Sequence, residues 1–201
     1  MRGPVSKEDF DRLEEFFVAR QVPIGISLCP HADPSVLDRL AERRYRVTQF
    51  EHTLCRALMT DDVPIAPPVD LVRSAKPGEK DSWVRTVIAG SDMEGYEELF
   101  GVMFDSVDAT AYLTLQDGQP AGSGAVSIRP GDFAVFYSDT TLPGFRGRGL
   151  QSAVIAARLT QALSAGCTLA IANTSPGTVS QRNYERAGFR VAYTKAVLTS
   201  P

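Results

Sequence analysis

Residues Thr141–Leu159, TLPGFRGRGLQSAVIAARL, set a glycine-interrupted arginine turn between a β-like run and an amphipathic helix. Leu150, Val154, Ile155, Leu159, Ala162 and Leu163 share one stripe at helical spacing, so the helix begins at or just after Gly149. Its first free N–H groups then point into the turn, at a helix end that carries about half a positive charge. Arg146 and Arg148 add two cations where cations disfavour a helix, and the glycines let a ligand come close to the backbone. A start this positive is explained if an anion neutralises it.

Two familiar phosphate loops do not fit. A P-loop needs a Lys-Ser or Lys-Thr pair after its last glycine, and none follows Gly149. A dinucleotide fingerprint needs a third glycine and an acid ending the next strand; Gly147-x-Gly149 is followed by Ser152, and CTLAIANTS ends without an acid. The bland alternative is a surface turn with solvated arginines.

The surrounding chain predicts a mixed α+β fold. Upstream, ATAYLTL, PAGSGAVSI and FAVFYSDTTL read as a three-strand meander with turns at Asp117-Gly118-Gln119 and Pro130-Gly131-Asp132. Downstream come a strand CTLAIAN, a short helix SQRNYERAGF and a last run RVAYTKAVL. The strands before the long helix read as antiparallel, and the strand-helix-strand unit through it as parallel. Before the meander lie a strand-like VDLVRSA and helices over Glu79–Ala89 and Gly95–Asp105.

The first sixty residues predict a small β-α-β unit behind a helix. Ser6 can cap that helix, whose Phe10, Leu13, Phe16 and Phe17 fall on one stripe. IGISL then reads as a strand, DPSVLDRLAERR as a helix with Leu37 and Leu40 inward, and YRVTQFEHTLCRAL as an extended run. Met59–Pro68, with three prolines, reads as a boundary. Tyr45-Arg46-Val47 matches Phe189-Arg190-Val191, each pair of segments running from a helix into a strand, which reads either as chance or as a truncated duplication.

Composition removes several function classes. A net charge of −3 over 201 residues argues against a polyanion such as nucleic acid as the main partner. Cys29, Cys55 and Cys167 lack CxxC spacing and read as small buried hydrophobes rather than a disulfide or zinc framework. His31 and His52 show no metal-ligand spacing, so no metal is expected. The N-terminal residues have no apolar signal core, and no apolar run reaches membrane-spanning length, so a cytoplasmic protein without a membrane partner is expected.

TLPGFRGRGLQ entering a long helix, followed by YERAGF, resembles the GNAT acetyltransferase superfamily over roughly residues 69 to 198. That family's loop runs Arg or Gln, two residues, Gly, one residue, then Gly or Ala. Arg146 and Gly149 match the first two anchors, and Gln151 departs at the third. The resemblance implies a mainly antiparallel sheet flanked by helices, with residues 63–201 as the acetyltransferase domain and 1–62 as a partial GNAT-like repeat. It implies that Thr141 and Leu142 offer backbone groups to the pantetheine arm of acetyl-CoA. It also implies that Arg146, Gly147, Arg148, Gly149, Leu150 and Gln151 wrap its pyrophosphate.

Direct acetyl transfer needs a free amine, yet a lysine-like amine is unprotonated in only about one molecule in a few thousand at pH 7. A base is therefore required. Asp139 and Tyr137 lie on the strand leading to the turn, and alternation puts them on one face; Asp139 is the candidate base, against a solvated strand-end aspartate. Tyr184 stands where GNAT enzymes often carry the tyrosine that protonates coenzyme A sulfur, and equally where a helix tyrosine would pack on the core. Gly177 replaces the family's upstream asparagine. Ser180 and Asn183 are candidates to reach the cofactor, Ser180 alternatively to cap the helix. Trp83 reads as core. Glu94, Glu97 and Glu98 read either as a solvated helix face or as a draw for a cationic amine.

The resemblance thus implies an acetyl-CoA-dependent N-acetyltransferase acting on a small-molecule or peptide amine, without a metal, as a monomer or homodimer. The alternatives are a CoA-binding or interaction module without turnover and, last, a nucleotide phosphate site.

Overall fold

The computed structural model describes residues 3–59, 62, 70–91, 93–129 and 132–201. Most of the expected Met59–Pro68 boundary, Val69 of the first strand-like run and Pro130-Gly131 of the second meander turn lie outside these residues. The fold is mixed α+β, with eight mainly antiparallel strands among the described residues and flanking helices. It divides into one compact unit of residues 1–53, 174–176 and 191–201 and another of 54–173 and 177–190.

The first unit opens with α1 (Lys7–Val18), where Ser6 Oγ accepts the Asp9 N–H at 3.0 Å as a side-chain cap. Phe10 is buried and Phe17 packs on the same core, but Leu13 and Phe16 are exposed, Phe16 lying 3.7 Å under the Arg20 guanidinium. β1 (Gly25–Leu28), α2 (Ser35–Glu42) and β2 (Arg46–Ala57) follow. α2 buries Val36 and Leu40, which stand one turn apart, and this pair fills the inward line. Leu37, expected inward, is rotated off that line and is 55% exposed.

A strand from the far end of the chain completes this unit. β8 (Arg190–Thr199) pairs antiparallel with β1, Gly25 opposite Thr199, and the order is β1-β8-β2. Thr48 Oγ1 donates to the Val197 carbonyl at 3.2 Å and Lys195 Nζ meets Glu51 Oε2 at 2.5 Å. The core is Phe10, Ile24, Val36, Leu40, Tyr45 and Leu198.

In the second unit, β3 (Val72–Ser74), α3 (Lys80–Ser91), α4 (Glu97–Phe104), β4 (Ala109–Gln116), β5 (Gln119–Arg129) and β6 (Phe133–Thr141) lead to a 3₁₀ turn over Pro143–Phe145. α5 (Leu150–Ser164), β7 (Leu169–Thr174) and α6 (Val179–Arg186) follow. The strand order is β7-β6-β5-β4-β3, antiparallel from β3 to β6 and parallel between β6 and β7. Alternation along the strands feeds two cores. Tyr112, Val126 and Phe136 face α5, while Ala111, Leu113 and Ala125 face Trp83 and Val87 of α3. Trp83 is fully buried and its indole N–H donates to the Tyr112 carbonyl at 3.1 Å, so it serves the core. Of the three cysteines only Cys167 is fully buried; Cys29 and Cys55 are half-buried, so the expectation of three buried hydrophobes holds for one.

Candidate active site

β6 does not alternate to its end. Ser123 of β5 faces Thr140, Ala125 faces Tyr137, and Gly124 between them faces both Ser138 and Asp139. This is a β-bulge, with Ser138 at φ 56. The extra residue exchanges the two faces of the strand beyond it. Tyr137 stays with the α3 core, whereas Asp139 turns to α5, so the two are not on one face as alternation predicted. Thr140 turns the other way, its hydroxyl 2.9 Å from Ser123 Oγ and donating to the Thr86 carbonyl at 3.2 Å. Gly90 of α3 admits this contact, since a Cβ there would lie 2.6 Å from Thr140 Cβ. Gly124 leaves space for Asp139, since its Cβ would lie 3.2 Å from Asp139 Oδ1.

Asp139 there meets two buried partners. Arg158 of α5 is 0% exposed; its Nη1 binds Asp139 Oδ1 and its Nη2 donates to the Tyr184 hydroxyl at 3.1 Å. Tyr184 is 2% exposed and donates to Asp139 Oδ2 at 2.5 Å. Arg158 also donates from Nε to the Val154 carbonyl and from Nη1 to the Ala125 carbonyl, both at 3.1 Å, and lies 4.6 Å over the Phe136 ring. Burial disfavours its charge, but the Asp139 carboxylate and the Tyr184 oxygen outweigh that and raise its pKa. Burial and the Asp139 charge lift the Tyr184 phenol well above 10, so it keeps its proton.

Beside this cluster runs a groove of about 580 Å³, within the range of small-molecule sites. Asp139 and Thr141 line it from β6; Arg146, Gly147, Gly149, Leu150 and Gln151 line it from the turn and α5; Ser180 and Asn183 line it from α6. α5 starts at Leu150 as its periodicity required. Its N-cap is Gly149 in the left-handed region at φ 76, with no side-chain cap, and Gly147 has φ 77. Arg146 and Arg148 are exposed beside these N–H groups. An anion fits here by charge and by backbone donors.

Three expected site residues stand elsewhere. Leu142 and Arg148 are off the groove wall: the Leu142 N–H is taken by the Ala121 carbonyl at 2.9 Å, and Arg148 lies over the Phe145 ring. Tyr184 is also off the wall, one hydrogen bond behind Asp139. Ser180 is not the helix cap. Thr178 caps α6 by accepting the Gln181 N–H at 3.2 Å, and Ser180 Oγ instead accepts Gln151 Nε2 at 2.8 Å. Asn183 Nδ2 donates to Gln151 Oε1 at 2.7 Å, so the residue that departs from the family loop ties α5 to α6.

Arg158 was missed from the sequence, although it sits on the apolar stripe four residues after Val154 and four before Ala162. A charge there signals a buried partner. His52 Nδ1 lies 2.9 Å from Thr194 Oγ1, and His31 is edge-on to Tyr193. No cluster of three metal-ligating side chains occurs among the described residues, and no helix among them is long and apolar enough to cross a membrane.

Residues 80–189, more than half of the chain, match the model of the acetyltransferase (GNAT) family. The chain belongs to the GNAT acetyltransferase family. Solved structures carry the same fold. A GCN5-related N-acetyltransferase from Kribbella flavida superposes with a TM-score of 0.71 at 20% identity, over 96% of this chain and 74% of that one. One from Sphaerobacter thermophilus gives 0.69 at 17% identity, over 96% and 68%. AAC(6')-Iy, solved with the bisubstrate analog CoA-S-monomethyl-acetylneamine, gives 0.52 at 21% identity, over 61% and 91%. No curated protein matches the sequence. The matched segment of this acetyltransferase contains β6, the turn, α5 and α6, and with them the groove and the buried cluster.

Proposed function

We propose that this GNAT protein is an acetyl-CoA-dependent N-acetyltransferase that moves an acetyl group directly to a primary amine on a small molecule or peptide. The observation that carries the reading is the uncapped α5 N-terminus, with left-handed Gly147 and Gly149 and exposed Arg146, at one end of a groove whose other wall holds Asp139. When bound, acetyl-CoA supplies an acetyl group activated as a thioester. Arg146 and the N–H groups of Leu150 and Gln151 hold its pyrophosphate, with Arg148 adding longer-range positive charge. Thr141 offers its backbone to the pantetheine arm, and Ser180 and Asn183 bound that arm through Gln151.

Asp139 accepts the proton that the attacking amine gives up. Asp139 then passes that proton to the departing sulfur, while Tyr184, behind it, keeps its own proton and steadies the carboxylate through the hydrogen bond it donates. One proton leaves nitrogen and one reaches sulfur, so the pair ends as it began. Residues 1–62 are read as a partial repeat of the family fold. Tyr45 and Phe189, at matching helix-to-strand connections, are both buried and precede the matching first residues of β2 and β8. The loop has no counterpart there, so one cofactor per chain is expected.

Calorimetric titration of the purified protein with acetyl-CoA, with Arg146→Ala alongside, tests the reading. Saturable binding weakened in the variant supports it; no binding at millimolar concentration overturns it. One observation favours a second reading, a CoA-binding module without turnover, because the Tyr184 hydroxyl does not itself face the groove. Binding of acetyl-CoA with no product across a broad amine screen would establish that module instead.

A further inference from the structure

We infer that Arg158 is a positioning residue for proton transfer: its guanidinium holds Asp139 and the Tyr184 hydroxyl in the one arrangement that points a carboxylate at the groove and keeps a phenol hydrogen-bonded behind it. The inference rests on the functional reading above and adds a residue that touches neither groove nor substrate.

The geometry is specific to arginine. Nη1 binds Asp139 Oδ1, leaving Oδ2 to accept the Tyr184 hydroxyl at 2.5 Å. Nη2 donates to the Tyr184 oxygen at 3.1 Å, so the single phenolic hydrogen must turn to Asp139. Arg158 is itself fixed by the Val154 and Ala125 carbonyls and by the Phe136 ring. A planar fork can span a carboxylate and a phenol at once, whereas a lysine ammonium, a point charge on a flexible stem, cannot hold the same two partners and both carbonyls. Nothing in packing alone asks for an arginine on this stripe: the neighbouring inward positions are Val154, Ile155, Leu159 and Ala162. Burying a charge there costs stability unless it is paired, and its partners are Asp139 on the groove wall and Tyr184 behind it.

The experiment compares wild type with Arg158→Lys and Arg158→Met, after a cooperative melt shows that each folds. Calorimetry with acetyl-CoA is expected to give affinities within about threefold of wild type, because Arg146 to Gln151 are untouched; failure of wild type itself to bind overturns the functional reading, and this inference with it. In protein labelled with ¹³Cζ-tyrosine, with the Tyr184 signal assigned through Tyr184→Phe, that signal is expected to move in both variants. Turnover with a primary amine is expected to fall at least about tenfold with the acetyl-CoA KM within about threefold, and lysine is not expected to restore it. A lysine variant with the wild-type Tyr184 signal, or with wild-type kcat, overturns the inference while leaving acetyl-CoA binding and the functional reading intact. If Arg158→Met does not melt cooperatively, Arg158→Met with Asp139→Asn removes both buried charges and replaces it. Its kcat is expected to equal that of Asp139→Asn alone, and a further drop of about tenfold overturns the inference.

Discussion

The molecule builds the same trio twice. In the first unit Arg43 Nε donates to Glu14 Oε2 at 2.9 Å, Tyr45 donates to Glu14 Oε1 at 3.1 Å, and the guanidinium lies 4.7 Å over Phe10. In the second, Arg158 binds Asp139, Tyr184 donates to Asp139, and the guanidinium lies 4.6 Å over Phe136. Arginine, carboxylate and tyrosine are common to both, each guanidinium with a phenylalanine ring under it, but the Arg43 side chain is 15% exposed with a second carboxylate, Asp11, beside it, and the Arg158 side chain is sealed. The partly exposed trio ties α1 to the connection between α2 and β2. The buried one borders a groove and an uncapped helix end, and the proposed proton transfer rests on that neighbourhood. A trio of side chains does not by itself make a site.

The largest expected contrast is in stability. Asp139→Asn leaves Arg158 buried without its counter-charge and is expected to cost about 3–5 kcal/mol, whereas Glu14→Gln at the wetter trio costs at most about 1 kcal/mol. Urea denaturation of both variants checks this, and equal losses would erase the distinction drawn from burial. Next comes turnover: Tyr184→Phe is expected to lower kcat about a hundredfold with acetyl-CoA affinity nearly unchanged, while Tyr45→Phe leaves kcat at the wild-type value. Steady-state kinetics on the pair would break the comparison if Tyr45→Phe were the more damaging.

A smaller effect separates cradle from trio. Arg146→Ala is expected to weaken acetyl-CoA binding about tenfold by calorimetry, the loss of one charge-assisted contact at an exposed position. The smallest effect is on pH dependence. Burial, then the charge and hydrogen bond of Glu14, pushes the Tyr45 phenol from 10.0 up to about 12. The folded state therefore holds this proton more tightly than the unfolded chain. The contribution is complete below pH 10 and is lost as pH rises through 12. A tyrosinate absorbance titration should place Tyr45 in that window, and ionisation of Tyr184 before Tyr45 would reverse their order of burial.

Much of the second unit was legible. The apolar stripe from Leu150 to Leu163 located α5 and its first residue, because a buried helix face repeats every three to four residues regardless of what covers it. The turn's glycines and the uncapped start of α5 were legible too, since positive φ and free N–H groups are local properties. Asp139 lines the groove, but not on the face that alternation assigned: alternation paired it with Tyr137, and only the bulge at Ser138 brings it to Arg158. Serine carries no mark of a positive φ, so the bulge left no trace in the pattern. Ser180 failed as a cap because Thr178, two residues earlier, takes the Gln181 N–H.

The first unit shows the limit more sharply. The sequence identified α1, β1, α2 and β2 in order, and nothing in them announced that β8 would lie between β1 and β2. Helix periods, caps and glycine turns are decided within a few residues by sterics and by which backbone groups need partners, so the sequence alone determined them, together with the family loop. Strand neighbours, the face on which Asp139 emerges, the burial of Arg158 and the withdrawal of Tyr184 behind a carboxylate depend on segments tens of residues apart. Those contacts exist only once long-range packing has removed water from between them, and so the tertiary structure decided them.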